Sequence, residues 1–385
     1  MTTDELKQLE AEHIMQTYKR FDVILERGEG CYVYDQAGKK YLDFIGGIAT
    51  CSIGHANPAV TKAVTDQVGK LTSVSNLYFT EPPILLAKKL SELSGLKKSF
   101  FCNSGAEANE AAIKLAKKIT GKTDFIAFNN AFHGRTSGSL ALTANEAYKK
   151  PFLPLTPNVK FAEYDNIDSL QELIDDNTAA VIIEPIQGES GIIVPKNGFL
   201  KQVRELCDQG GILMIVDEVQ TGIGRTGKFY AYQHEDIMPD IVTTAKGLAN
   251  GFPIAACMSN LDFEAGDHGT TLGGNALGAA AALATIDYIE SHDLQKNAQV
   301  IGDYLQESLR NSDFKDKISE VRGMGLMIGV VLKTDDAKEI VNKALQAGLL
   351  CNAPTTMVIR MLPPLTVTKQ EVDECVAILT EVINS

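Results

Sequence analysis

A short β-branched run, Ile241-Val-Thr-Thr244, feeds through Ala245 into Lys246, which is followed at once by Gly247 and closed by a second glycine, Gly251. A lysine so placed has its stem held by the strand end while its amine reaches above the sheet. Upstream by 29 residues, another apolar run, Ile212-Leu-Met-Ile-Val216, ends in Asp217-Glu218-Val219-Gln220. Two strands that each deliver a polar group at the carboxyl end describe a ligand crevice above an open α/β sheet. Taken singly, each has a plainer reading, a solvated lysine and a helix-capping aspartate, because both residue types favour exposed positions.

Other strands end the same way. Asp124 to Phe128 precedes Phe132-His-Gly134-Arg135, and Ala179 to Ile183 continues into Glu184-Pro-Ile-Gln-Gly188-Glu189. The Phe132 ring can cover a planar cofactor and the Arg135 fork can hold a carboxylate; a core phenylalanine beside a surface arginine is the plainer alternative. At Asn103-Ser104-Gly105-Ala106-Glu107 a helix opens with small residues, so that its free N–H groups and positive dipole end form a phosphate cradle. The same letters, Ser104-x-x-Glu107, spell a capping box, and both readings can hold together. His268-Gly-Thr270-Thr271-Leu-Gly-Gly-Asn275 is a polar loop suited to phosphate contact, or simply the loop before an Ala-rich helix, Ala276 to Ser291. His55, beside a helix start, reads as structural. A lysine able to condense with an aldehyde, paired with an acid able to hold a pyridinium nitrogen, is the minimum equipment for pyridoxal phosphate (PLP) chemistry.

Between about 97 and 260 strands and helices alternate, which predicts a mostly parallel sheet covered on both faces. An N-terminal helix is expected over Leu6 to Tyr18, then a hairpin of Cys31 to Tyr34 with Lys40 to Phe44 around Asp35-Gln-Ala-Gly38. The C-terminal part segregates its strands and helices into a smaller α+β unit containing Arg360. The expected division is an arm and hairpin (1–50), a large cofactor-binding domain (51–275) and a small domain (276–385) completed by both chain ends.

Composition removes several classes of function. A formal charge of −13 argues against nucleic acid or an anionic membrane as partner. The seven cysteines form no C-x-x-C pair, so neither a metal site nor a secreted disulfide framework is expected. No run approaches membrane-spanning length and the N-terminus lacks an apolar signal core, which makes the cytoplasm the expected location.

The ordered set Asn103-Ser-Gly-Ala-Glu-Ala-Asn109, Phe132-His-Gly-Arg135, Glu184-Pro-Ile-Gln-Gly-Glu189, Asp217-Glu-Val-Gln220, Lys246-Gly247 and Gly269-Thr-Thr-Leu-Gly-Gly-Asn275 resembles the class III (ω-amino) PLP-dependent aminotransferases of fold type I. That resemblance implies a large domain with a seven-stranded, mostly parallel sheet covered by helices. Phe44-Ile-Gly-Gly-Ile-Ala49, Ser75-Asn-Leu-Tyr78 and Phe132-His-Gly-Arg135-Thr136 are most similar to the branch that moves the δ-amino group of N2-acetylornithine to 2-oxoglutarate in arginine biosynthesis.

The resemblance also implies roles. Lys246 would carry PLP and serve as the proton-transfer base, while Asp217 would keep the pyridine nitrogen protonated. Phe132 would stack on the ring and Gln220 would contact its phenolic oxygen, with Glu218 and Val219 in the same cofactor-binding turn. Gly105 and Ala106 would hold the phosphate, joined by Thr271 from the partner of a homodimer with shared active sites. Arg135, with Thr270 nearby, would bind the substrate α-carboxylate. Glu189 would mask Arg360 during the amine half-reaction and release it for 2-oxoglutarate. Ala106 stands where many members have threonine, and Leu272 replaces a common aromatic. Ornithine, succinylornithine, 4-aminobutyrate or a lysine-pathway amine are alternative substrates; a mutase or decarboxylase on the same cofactor and a non-catalytic binding protein are more distant readings.

Overall fold

The computed structural model describes residues 1–385. Its first strands are β1 (Leu25–Glu29), β2 (Tyr32–Asp35) and β3 (Lys40–Asp43). Seven more follow: β4 (Lys98–Cys102), β5 (Asp124–Phe128), β6 (Val159–Ala162), β7 (Thr178–Ile183), β8 (Leu213–Asp217), β9 (Ile241–Thr244) and β10 (Ala255–Ser259). The last are β11 (Ile318–Met324), β12 (Met327–Leu332), β13 (Leu349–Leu350) and β14 (Val358–Met361).

The middle seven form one sheet in the order β4-β10-β9-β8-β7-β5-β6. Strands β9, β8, β7, β5 and β6 run parallel, and β10 lies antiparallel to both β9 and β4. Every residue of β7, β9 and β10 is buried, as befits strands whose two faces are both covered. This is the mostly parallel, seven-stranded sheet expected from the sequence.

The two chain ends share a smaller sheet, β1-β2-β3-β13, in which Leu349 and Leu350 pair in parallel with Leu42 and Asp43. A further sheet, β11-β12-β14, carries Arg360 opposite Gly329. Strand β1 is a member that the alternation did not reveal, because nearly all its residues face solvent and carry no apolar period. The N-terminal helix spans Thr3–His13 rather than Leu6 to Tyr18. Thr2 and Glu5 form a capping box at its start, and the Gln16 amide takes the carbonyls of Glu10 and Ile14 at its end. No helix is long and apolar enough to cross a membrane.

Candidate active site

Strands β8 and β9 are neighbours in register, with Asp217 opposite Thr243. Three residues beyond Thr243 the chain reaches Lys246, so the sheet itself sets the lysine beside the aspartate. Lys246 sits at φ +45°, a left-handed conformation that turns the backbone sharply at the strand end. Gly247 lets that turn pack closely: its carbonyl accepts from the Ser52 hydroxyl at 2.7 Å, and a Cβ there would lie 3.3 Å from the Ala49 carbonyl oxygen.

Lys246 and Asp217 line a cleft of about 430 Å³ together with Phe132, Arg135, Gln220 and the Gly105-Ala106 turn. Burial pushes the Lys246 amine below the usual lysine range; Glu189 opposes this and Arg360 adds to it. A larger fraction of neutral amine is therefore present near pH 7 than on an exposed lysine.

Asp217 is buried and held on both oxygens. Its Oδ1 accepts from the Val219 N–H at 3.0 Å, and Oδ2 accepts from the Asn109 amide at 2.8 Å and lies 2.8 Å from His133 Nδ1. Asn109 is fixed in turn by donation to the His133 carbonyl and by the Thr243 hydroxyl on its own Oδ1. His133, Asn109 and Thr243 had no role in the sequence reading. Their signal is only that all three lie inside quoted stretches; what joins them is the helix Gly105–Thr120 packing across the adjacent strands β9 and β8.

That helix opens at Ser104, whose hydroxyl accepts from the Glu107 N–H at 3.3 Å. The Glu107 carboxylate reaches back to the Asn103 N–H at 2.8 Å rather than to Ser104 N–H. The cap leaves the expected cradle open: Gly105 and Ala106 are the first helical residues, so their N–H groups lack intrahelical acceptors, and both residues line the cleft. A Cβ on Gly105 would come within 2.8 Å of a Val219 methyl, which ties the Asp217 turn to this cradle.

On the opposite side, the Phe132 N–H donates to Glu184 at 2.9 Å. Burial pushes the Glu184 carboxyl up to about 7, with Asp217 adding to the shift and His133 opposing it. Arg135 has no carboxylate partner; its guanidinium stacks on Tyr148, 3.4 Å from the ring centroid. Arg360, by contrast, is only 1% exposed and fully engaged. It donates to Glu189 at 2.6 Å, to Gln220 Oε1 at 3.2 Å, to the Gly188 carbonyl and to Asn352. Burial works to raise the Glu189 carboxyl, but Arg360 holds it below the usual range.

Glu218 is turned away from this cleft, since neighbouring strand residues face opposite sides. It is fully buried against the Thr221 hydroxyl and the Tyr232 N–H. Thr270 and Thr271 also lie outside the cleft of their own chain. Asn76 donates to the Thr270 carbonyl, and Thr271 is exposed.

The description "Aminotransferase class-III" fits the family model that matches residues 14–383. The chain belongs to the class-III aminotransferases. Acetylornithine aminotransferase of Archaeoglobus fulgidus is 48% identical over 96% of this chain and 98% of its own length. Acetylornithine aminotransferase of Methanocaldococcus jannaschii is 46% identical over 99% and 98%. Among solved structures, ornithine aminotransferase from Toxoplasma gondii superposes with a TM-score of 0.96 at 32% identity, over 100% of this chain and 95% of that one. Acetylornithine aminotransferase from Elizabethkingia anophelis gives 0.88 at 33%, over 100% and 99%.

Class-III aminotransferases are PLP-dependent, and the donor set here suits that group. The class requires an anion beside a ring nitrogen, a phosphate cradle and an amine for an aldehyde. Asp217 supplies a buried carboxylate, the Gly105-Ala106 turn supplies free N–H groups, and Lys246 supplies an amine with no hydrogen-bond partner in the protein. Among His, Cys, Asp and Glu no cluster suited to a metal ion is present.

Proposed function

We propose that this class-III aminotransferase moves the δ-amino group of N2-acetyl-L-ornithine to 2-oxoglutarate, giving N-acetylglutamate 5-semialdehyde and glutamate, a step of arginine synthesis in the cytoplasm. The observation that carries this reading is the unequal state of two arginines: Arg135 is free of carboxylates while Arg360 is neutralised by Glu189. An ω-amine with one distant carboxylate needs one open arginine. The second substrate, with two carboxylates, needs both. The relatives named for acetylornithine support the same substrate.

In this reading Lys246 holds PLP, Asp217 sits at its ring nitrogen, Phe132 covers the ring, Val219 and Gln220 border it, and Gly105 and Ala106 hold its phosphate. Bound there, PLP supplies an electron sink for the carbon that bears the reacting amine. Asp217 stays in place because Asn109, Val219 N–H and His133 all fix it. Lys246 Nζ, favoured in its neutral form by burial, would take the proton from the carbon bearing the reacting amine and pass it to the carbon on the other side of the amine nitrogen, a 1,3-proton shift. Arg135 orients the amine substrate through its α-carboxylate, with a planar two-point grip. Glu189 keeps Arg360 from capturing that carboxylate in the first half-reaction and leaves it in the second.

The reading also makes the enzyme a homodimer. Leu77, Tyr78 and Phe79 are 84%, 71% and 98% exposed, and the Asn76 side chain beside them holds the loop that bears Thr270 and Thr271. An apolar ridge of that size calls for a covering partner. A second copy of this chain, bringing Thr271 to the neighbour's Gly105-Ala106 cradle and Thr270 to its Arg135, satisfies both features.

Single-turnover absorbance of the holoenzyme tests the assignment. Rapid loss of the bound-cofactor band with N2-acetylornithine, restored by 2-oxoglutarate, is expected. Faster reaction with ornithine, succinylornithine or 4-aminobutyrate would overturn the substrate assignment and leave the class.

A further inference from the structure

Beside the Lys246 cleft lies a second cavity, of about 520 Å³, and Phe132 lines both. Tyr148, on which Arg135 stacks, is part of the second wall, so Arg135 stands at the boundary between the two spaces. The second cavity is lined by amides: Asn129, Asn130 and Asn145 all contribute. The backbones of the first two are tied down, by the Gln187 amide on the Asn129 carbonyl and the Ser190 hydroxyl on the Asn130 carbonyl. Their side chains bond to nothing in the protein. Asn145 uses only its Oδ1, which accepts from the Ala147 N–H at 3.0 Å, so its NH₂ remains uncommitted. No lysine or arginine lines this cavity, and the one ionisable acid on its wall is Glu189.

We propose that this cavity receives the neutral N-acyl group of the substrate, and that Asn129, Asn130 and Asn145 make the enzyme specific for short uncharged amides. The inference rests on the reading that the substrate is an N-acylated ω-amine. The α-carbon of such a molecule has three directions to satisfy. Its side chain runs to Lys246, its carboxylate is held by Arg135, and the acylamino group is left pointing past Tyr148 into the amide-lined space. A secondary amide offers one N–H and one C=O, which asparagine matches with both a donor and an acceptor. A succinyl tail would bring a second carboxylate toward Glu189 with no cation to receive it.

The test compares kcat/KM of the holoenzyme for N2-acetylornithine, N2-succinylornithine and ornithine across Asn129→Ala, Asn145→Asp and Asn129→Lys. Aspartate retains the Asn145 helix cap while removing its NH₂. The wild type should prefer the acetyl over the succinyl substrate. Asn129→Ala and Asn145→Asp should each lower the acetylornithine-to-ornithine ratio by roughly fivefold to tenfold, the worth of a lost neutral hydrogen bond. Asn129→Lys should raise the succinyl-to-acetyl ratio, a gain that misfolding does not produce. Ratios unchanged in all three variants, with acetylornithine still the best wild-type substrate, would overturn the cavity assignment alone. A wild type that does not use acetylornithine would overturn the substrate reading and the inference with it.

Discussion

Glu189 and Arg360, 171 residues apart in the chain, meet with Oε1 and Nη1 at 2.6 Å. Arg360 keeps three further acceptors, the Gly188 carbonyl, Gln220 and Asn352. Its position therefore does not depend on Glu189, but its charge balance does. Replacing Glu189 with alanine should leave the guanidinium in place and unmasked. Half-reaction kinetics of the Glu189→Ala variant should shift the ratio of glutamate to N2-acetylornithine turnover toward glutamate by about tenfold, the scale of one strong ionic contact. An unchanged ratio would sink the switch.

Lys246 is the proposed attachment and proton-transfer group. Lys246→Ala should lose at least about a hundredfold in turnover, the low end for a lost general base. It should also release PLP on gel filtration, read by absorbance of the protein fraction. Retention of wild-type turnover would reassign the base.

The close approach of Gly105 to Val219 gives a double-mutant test. Gly105→Ala places a Cβ 2.8 Å from a Val219 methyl and should weaken PLP affinity several-fold, on the order of 1 kcal/mol for a local overpacking clash. Val219→Ala in the same chain should restore most of that loss, because the clash is with the valine methyls. Equilibrium titration of cofactor-free protein with PLP measures both.

Glu218 makes stability depend on pH. Burial pushes its carboxyl from 4.5 up to about 7, against the pull of Thr221 and the Tyr232 N–H. The folded state therefore keeps a proton that the unfolded chain releases earlier. Its contribution is fully present below about 4.5 and is lost as pH rises toward 7, roughly 3 kcal/mol across that window. Glu218→Gln should flatten the fall of Tm between those limits. Glu184, shifted the same way, retains part of the slope.

The exposed Phe79 and the Thr271 loop give a prediction about assembly. Phe79→Asp should produce monomers in sedimentation velocity and a poor enzyme. Mixed dimers of Lys246→Ala and Thr271→Ala chains should regain activity that neither parent has, because one site in each hybrid then carries both native residues. No recovery on mixing would refute a site shared between subunits.

Much of the frame was readable from local pattern. Strands β7, β8 and β9 are apolar or β-branched runs that lead into Glu184, Asp217 and Lys246, and parallel strands share one carboxyl face, so these side chains had to gather there. The Ser104 cap and the glycine and alanine behind it fixed where the next helix begins. Those are short-range consequences of strand period and helix-end chemistry, and a single chain segment carries them.

The tertiary structure alone decided what touches what. The packing of β9 beside both β8 and the helix Gly105–Thr120 brings Thr243, Asn109 and His133 to Asp217, through contacts 108 and 84 residues apart for Asn109 and His133. Residue type gave Glu218 the same standing as Asp217; the pleat turned it into the core. Arg135 and Arg360 are the same residue in the sequence, yet one is left open on Tyr148 and the other buried against Glu189. Such differences come from which distant surfaces are pressed together when the apolar faces are buried, and no local period records that.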